Sequence, residues 1–483
     1  TMDPARHRPR LDALRTRRIV AAAVLAASAA WPAVLRAPGP AAAQPPAPFS
    51  DARLGEPIVV PASALDRLFG TPAGQLYAYA LHDGAWQRIA LQLDERGADG
   101  SVLADDAGDG ALSAGDELVL LVDEAGEQAA DGGAPGGMTG ATARAEIRVA
   151  ESGAPDAAAY VYLFRHPAGP EDAPPNRLAW DPDARALASE HVVLGLADPE
   201  DDGFVGIERL SLGDGPDLLD RLKFRARIDL LGTPTDLNEE SFANPLLANL
   251  LGGADLAPEP VKVGPVRAVF GPGEGATVYP RRGALVTGLE GLGDLGGGTP
   301  LPIALTGLRI SLDFLPSAAG GTYFDANLPG GVAVDGQPDE VPASPLPAYR
   351  ELRTPGGRIV LLSGAPDGSS AESGSATVFY ADDLGGLPDD TGDGQSWGET
   401  GVAADALEDA LAAGFPGRFV VLPPDSAATG DALVAAAADP LEVIVTALDA
   451  TDPPTAVPSP TPTATAPPSG GTVHLPWCGN RAP

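Results

Sequence analysis

Between Phe49 and Ala450 the apolar residues come in short bursts, each closed off by Gly, Pro, Asp or Asn. Leu118–Val122, Tyr160–Phe164, Leu308–Leu315, Arg358–Leu362, Ala376–Tyr380, Arg418–Leu422 and Leu441–Ala447 are runs of this kind. Bursts of that length and punctuation are too short for core helices and read as β-strands. Leu76–Leu93 adds a hairpin: LYAYAL and WQRIALQL flank His82-Asp83-Gly84, and Asp-Gly tolerates the positive φ of a tight turn. Helical windows are confined to Val402–Ala413 with Gly414 as its stop, Asp431–Ala437 and Asn244–Leu251. The pattern predicts an all-β protein of stacked antiparallel β-sandwich domains with two or three short helices. A break at Glu151–Pro155 separates an expected N-terminal β domain, 44–150, from a larger β-sandwich domain, 151–450.

Composition supports the β reading, because Gly 60 and Pro 51 in 483 residues are far more than long helices tolerate. Charge changes the picture of the partners. The chain carries a formal net charge of -35. Such a field repels phosphate backbones and anionic lipid, so nucleic acid is excluded as an expected partner. Lysine occurs only at Lys223 and Lys262.

The two ends carry an address. Six arginines from Arg6 to Arg18 precede the apolar, alanine-rich run Ile19–Trp31, and Ala41-Ala42-Ala43 follows, the order of a secretory signal peptide over 1–43. Its removal takes seven Arg and two Asp from the 31 basic and 66 acidic residues, leaving net -40. The apolar run is too short to span a bilayer, so no transmembrane anchor is expected after processing. Residues 451–471 (TDPPTAVPSPTPTATAPPSGG) read as a semi-rigid Pro/Thr-rich stalk, and 472–483 as a short apolar tail. Stalk and Val473-His474-Leu475-Pro476 together resemble the Pro/Thr stalk and V-x-L-P ending of exported surface proteins of GC-rich filamentous bacteria. That resemblance implies a place at the cell surface, in contact with cell-envelope or extracellular components. Cys478 is the single cysteine, so intramolecular disulfides are excluded; it is an expected attachment point.

Two acidic loops carry candidate chemistry. Asp105-Asp106-Ala107-Gly108-Asp109-Gly110, continuing to Asp116, is similar to the calcium loop of EF-hands and dockerins. That loop type wants carboxylates at its first, third, fifth and twelfth positions, a glycine sixth and a carbonyl seventh. Asp105, Asp109, Gly110, Ala111 and Asp116 match, and Ala107 leaves the third position without a ligand. Asp389-Asp390-Thr391-Gly392-Asp393-Gly394 repeats the hexad, with Asp389 and Asp393 as its carboxylates and Thr400 at the twelfth place beside Glu399. The resemblance implies calcium as the cofactor. Read from composition alone, the same loops are solvated turns in a chain rich in Asp and Gly.

Arg221-Leu222-Lys223-Phe224-Arg225-Ala226-Arg227-Ile228 alternates strictly, so on a strand Arg221, Lys223, Arg225 and Arg227 share one face. Such a row can grip an acidic polysaccharide through Arg–carboxylate forks, or be salt-bridged across the sheet by the chain's own acids. Enzyme signatures fail by inspection. There is no Gly-x-Ser-x-Gly, no His-Glu-x-x-His and no glycine directly before either lysine, while Gly291–Gly296 spells a dinucleotide fingerprint but leads into Gly-Gly-Thr-Pro rather than a helix. His82, His166 and His191 are widely spaced, each at an expected turn or strand end. The expectation is an exported, non-catalytic, calcium-stabilised surface β-sandwich with a structural or adhesive role. Its rival is a polysaccharide-binding or lyase-like protein acting on an acidic glycan.

Overall fold

The computed structural model describes residues 49–129, 133–138, 140–170, 175–198, 200–204, 206–230, 232–242, 259–270, 276–284, 303–363, 376–387, 389–405, 418–448 and 472–474. The chain is all-β, and its sheets are antiparallel throughout these residues. The signal peptide, the stalk, Cys478 and the Asn244–Leu251 window lie outside the described residues.

Each apolar burst named above forms or overlaps a strand, from Glu117–Leu121 to Glu442–Leu448. The hairpin turn falls at Asp83 (φ 50) and Gly84 (φ 74), the paired positive φ values of a tight two-residue turn. Its second arm is shorter than expected. Ala85–Arg88 completes the hairpin, and Gln92–Asp94 moves into a different sheet after the Ala90 N–H is captured by the buried Glu124 carboxylate.

The larger core lies between two sheets and is extended by Leu187, Val192, Leu194 and Leu210 of a four-stranded sheet, Ala179–Asp181, Ala186–Ala188, Val192–Leu196 and Ile207–Leu212. One has five strands in the order Thr233–Asn238, Leu219–Leu230, Ile303–Phe314, Ser396–Ala404, Thr377–Asp383. The other has nine strands, with Arg418–Leu422, Gly357–Leu362 and Tyr349–Thr354 side by side near its middle. Phe224, Ile310, Phe314 and Val402 from the first sheet meet Phe270, Leu352, Ile359 and Phe419 from the second. Phe419 is 1% exposed, and truncating such a side chain to Ala costs about 3–5 kcal/mol. The outer face of the nine-stranded sheet is buried too. Val360, Leu362, Val420 and Leu422 are covered by Leu433 and Ala436 of the helix Gly430–Ala438. The Asp431–Ala437 window is that helix, started by Thr429, whose side chain accepts the Ala432 N–H.

A second sandwich packs Ile58, Val60, Leu118 and Leu120 of a three-stranded sheet on Ala78, Ile147, Val161 and Val443 of a six-stranded one. The boundary expected at 150/151 falls at the end of the strand Ala143–Glu151, just before its turn into Ala154–Arg165, and the two strands pair along their length. Glu442–Leu448 pairs with the first of them, so chain from both sides of that boundary shares one sheet and the chain does not part there. Thr472–His474, the start of the expected tail, adds an edge strand to Glu442–Ile444. Val402–Ala413 differs from expectation where it is described. Val402 pairs with Ile310 and Val378 inside the five-stranded sheet, because its β-branched side chain fills the core between them. Among the described residues, no helix is long and apolar enough to cross a membrane.

Candidate functional site

The strand Leu219–Leu230 puts Leu222, Phe224, Ala226 and Ile228 into the core, so Arg221, Lys223, Arg225 and Arg227 take the opposite face, as the alternation requires. Alternation fails at one point. Leu219 faces Phe314 and Arg221 faces Asp313, so Asp220 is an extra residue in a β-bulge. The bulge lets Leu219 stay in the core while Asp220 and Arg221 both turn to the polar side. On the neighbouring strand Ile310, Leu312 and Phe314 are core, and Arg309, Ser311 and Asp313 therefore share the polar face.

The loop Asp389–Gly394 caps this face. Lys223, 0% exposed, lies 2.7 Å from Asp313 Oδ2 and 3.8 Å from Glu399 Oε2, and donates to Asp390 Oδ1. Asp313 and Glu399 are as deeply buried as the lysine. Glu399 accepts from the Ser311 and Ser396 hydroxyls. Asp390 also accepts the Thr391 N–H at 3.0 Å, Arg225 reaches the Asp389 carbonyl at 3.0 Å and Thr391 Oγ1 at 2.7 Å, and Arg309 pairs with Asp389 Oδ2 at 3.0 Å. Gly392 (φ 78) sits so close to Asp220 that a Cβ there would overlap its Oδ2. The Asp393 N–H donates to the Asp220 carboxylate.

Negative charge is in excess here. Burial pushes the Asp313 carboxyl well above the usual carboxylate range, Glu399 adds repulsion, and Lys223 pulls the other way. Burial opposes charge on Lys223, but Glu399 and Asp313 outweigh it and hold the ammonium above its ordinary value. Both shifts are upward because one buried lysine faces several acids. Asp220 is likewise raised, by burial, with Arg221 offsetting. Two groups of three acids have carboxylate oxygens within 4.8 Å of one another among the described residues: Asp313, Asp390 and Glu399, and Asp220, Asp313 and Asp393. Lys223 lies in the first.

The other cations of the row also face acids. Arg225 pairs with Glu239, and Arg227 with Asp236 at 2.7 Å. Arg221 reaches Glu240 at 3.3 Å and Glu239 at 3.7 Å while stacking 4.1 Å over Phe204. A groove of about 880 Å³ runs past Arg225, Arg227, Arg309 and Phe379. The tryptophans of the body lie elsewhere: Trp86 is edge-on to Tyr162, Trp180 to Phe270, and Trp397 packs on the main core.

The first acidic loop is organised differently from the expected calcium loop. Glu95 Oε1 accepts the Asp109 and Gly110 N–H groups at 2.7 and 2.9 Å, so the loop folds over that carboxylate. Asp109 accepts the Ala111 N–H, buried Asp116 accepts the Arg96 and Ser113 N–H groups, and exposed Asp105 pairs with Lys262 at 3.2 Å. None of Asp105, Asp109 and Asp116 belongs to either three-acid group. In the second loop the expected partners part company: Asp389 turns to Arg309, and Asp393 joins Asp220 and Asp313. Those two, with Lys223 as the buried cation, were not singled out by loop spacing, since they come from separate strands.

The histidines are held at element ends. His82 contacts the Glu124 carbonyl, His191 pairs with Glu190 at 2.7 Å, and His166 accepts the Ala168 N–H. No protein-family model matches the chain, and no curated protein matches it.

Proposed function

We propose that the chain is an exported, non-catalytic β-sandwich protein of the cell surface, with a structural or adhesive role. The observation that carries the reading is the state of the basic row: all four cations lie within 4.0 Å of the chain's own carboxylates, and two of them, Lys223 and Arg225, also fasten the loop Asp389–Gly394. Side chains used this way fasten sheet to loop and offer little free charge to a substrate. The signal-like N-terminus and Pro/Thr-rich segment supply the address. Fractionation of the producing cells tests it: the protein is expected on the surface, removable from intact cells by added protease. Recovery in the cytosol with residues 1–43 attached would overturn it.

The groove beside Arg225, Arg227 and Arg309 favours one second reading, capture of an acidic polysaccharide. It predicts retention on immobilised polygalacturonate at 0.15 M salt, weakened by Arg227→Ala. Absence of retention leaves the structural reading standing.

A further inference from the structure

We infer that Asp220, Asp313 and Asp393 form a divalent-cation site, and that calcium is the ion it takes. Oxygens bound to one calcium ion at about 2.4 Å lie at most about 4.8 Å apart. The three carboxylates meet that limit as they stand.

The acids alone would be a weak argument; two further features point to a cation. Asp313 is 0% exposed, and with Oδ2 turned to Lys223 its Oδ1 is buried with no hydrogen-bond donor. Asp220 Oδ2 is also buried without a donor. Its nearest cation, Arg221 Nε, stands off at 3.5 Å because the guanidinium is turned to Glu239, Glu240 and Phe204. Buried carboxylate oxygens require a donor or a cation. The second feature is the bulge, which gives up regular pairing at the one residue it delivers to the polar face, Asp220.

The protein already fills the twin of this site. Asp313, Asp390 and Glu399 surround an ammonium, and Asp313 belongs to both groups. Lys223, with Arg221 at 3.5 Å from Asp220, does not balance Asp313, Asp390, Glu399, Asp220 and Asp393 together. The donor set is oxygen only, which selects a hard cation. One deep, one half-buried and one exposed carboxylate leave room for water on the open side. Calcium accepts such irregular, partly hydrated shells, whereas magnesium demands near-ideal octahedral geometry. Asp393 is the entry side, and its Oδ1 is steadied by the Gln395 N–H at 2.8 Å. The site does not rest on surface display: either can fail while the other holds.

The test is calorimetric titration of the chelator-stripped full chain with calcium chloride, alongside thermal melts. One ion is expected with Kd about 0.1–1 mM, and 10 mM calcium should raise the melting temperature by about a degree or more. Asp393→Asn and Asp220→Asn should each weaken binding at least about tenfold, while Asp109→Asn in the first loop leaves it unchanged. Asp393 is exposed, so its variant reads binding without risk to the core. Absence of heat and of any melting shift at 10 mM calcium would overturn the site, as would undiminished binding in both Asp393→Asn and Asp220→Asn.

Discussion

The two acidic loops share the hexad Asp-Asp-x-Gly-Asp-Gly, yet Asp105–Asp116 closes around the acid Glu95 while Asp389–Gly394 closes over the cation Lys223. In the first, backbone N–H groups point inward and the carboxylates satisfy their own neighbours. In the second, side chains point inward to a polar sheet face that already holds Asp313 and Glu399. A loop's sequence thus sets its turns, through glycines such as Gly110 (φ 71) and Gly392 (φ 78). What its acids do is set by the surface beneath.

The largest effect should come from removing the lysine. Lys223→Met leaves Asp313, Asp390 and Glu399 buried against no cation and should destabilise the chain by about 3–5 kcal/mol, read from the urea midpoint. An unchanged midpoint would mean the second loop is not seated on that charge. Glu95→Ala should cost less, about 1–3 kcal/mol, by stripping the acceptor from the Asp109 and Gly110 N–H groups. Hydrogen exchange should then quicken at 109 and 110 and stay unchanged at 389–394.

A third acidic cluster sharpens the contrast, because there a proton does what lysine does under the second loop. Burial, with repulsion from Asp202 and Asp217, pushes Glu208 up to about 7 against the opposing pull of Arg221. Its ordinary value is near 4.5, so between about pH 4.5 and 7 the folded chain binds more protons than the unfolded one. Stability from this group therefore falls as pH rises through that window, and Glu208→Gln should flatten the slope in melts taken across it. The smallest effect belongs to Arg227→Ala: its pair with Asp236 is solvent-exposed on both sides, and the unfolding midpoint should not move measurably.

Much of the fold was legible because it is local. The Asp83-Gly84 turn, the alternation from Arg221 to Ile228 and the Thr429-capped helix each depend on neighbours in sequence. Val402–Ala404 misled because small apolar residues fit a helix face and a core strand alike. The break at Glu151 misled because Gly and Pro mark a hairpin turn as readily as a linker. For the site, the loop was visible and its partners were not. Asp220, Asp313 and Glu399 lie on three strands and meet only through register and a bulge. One signal was present and carried no weight: in a chain whose other basic residues are Arg, both lysines are buried beside aspartates, Lys223 by Asp313 and Lys262 by Asp94.

The most direct measurement is an anomalous difference map from crystals of the full chain grown in 10 mM calcium. The account predicts a peak about 2.3–2.6 Å from oxygens of Asp220, Asp313 and Asp393, and none within Asp105–Asp116. A peak in the first loop, or none beside Asp313, would contradict it.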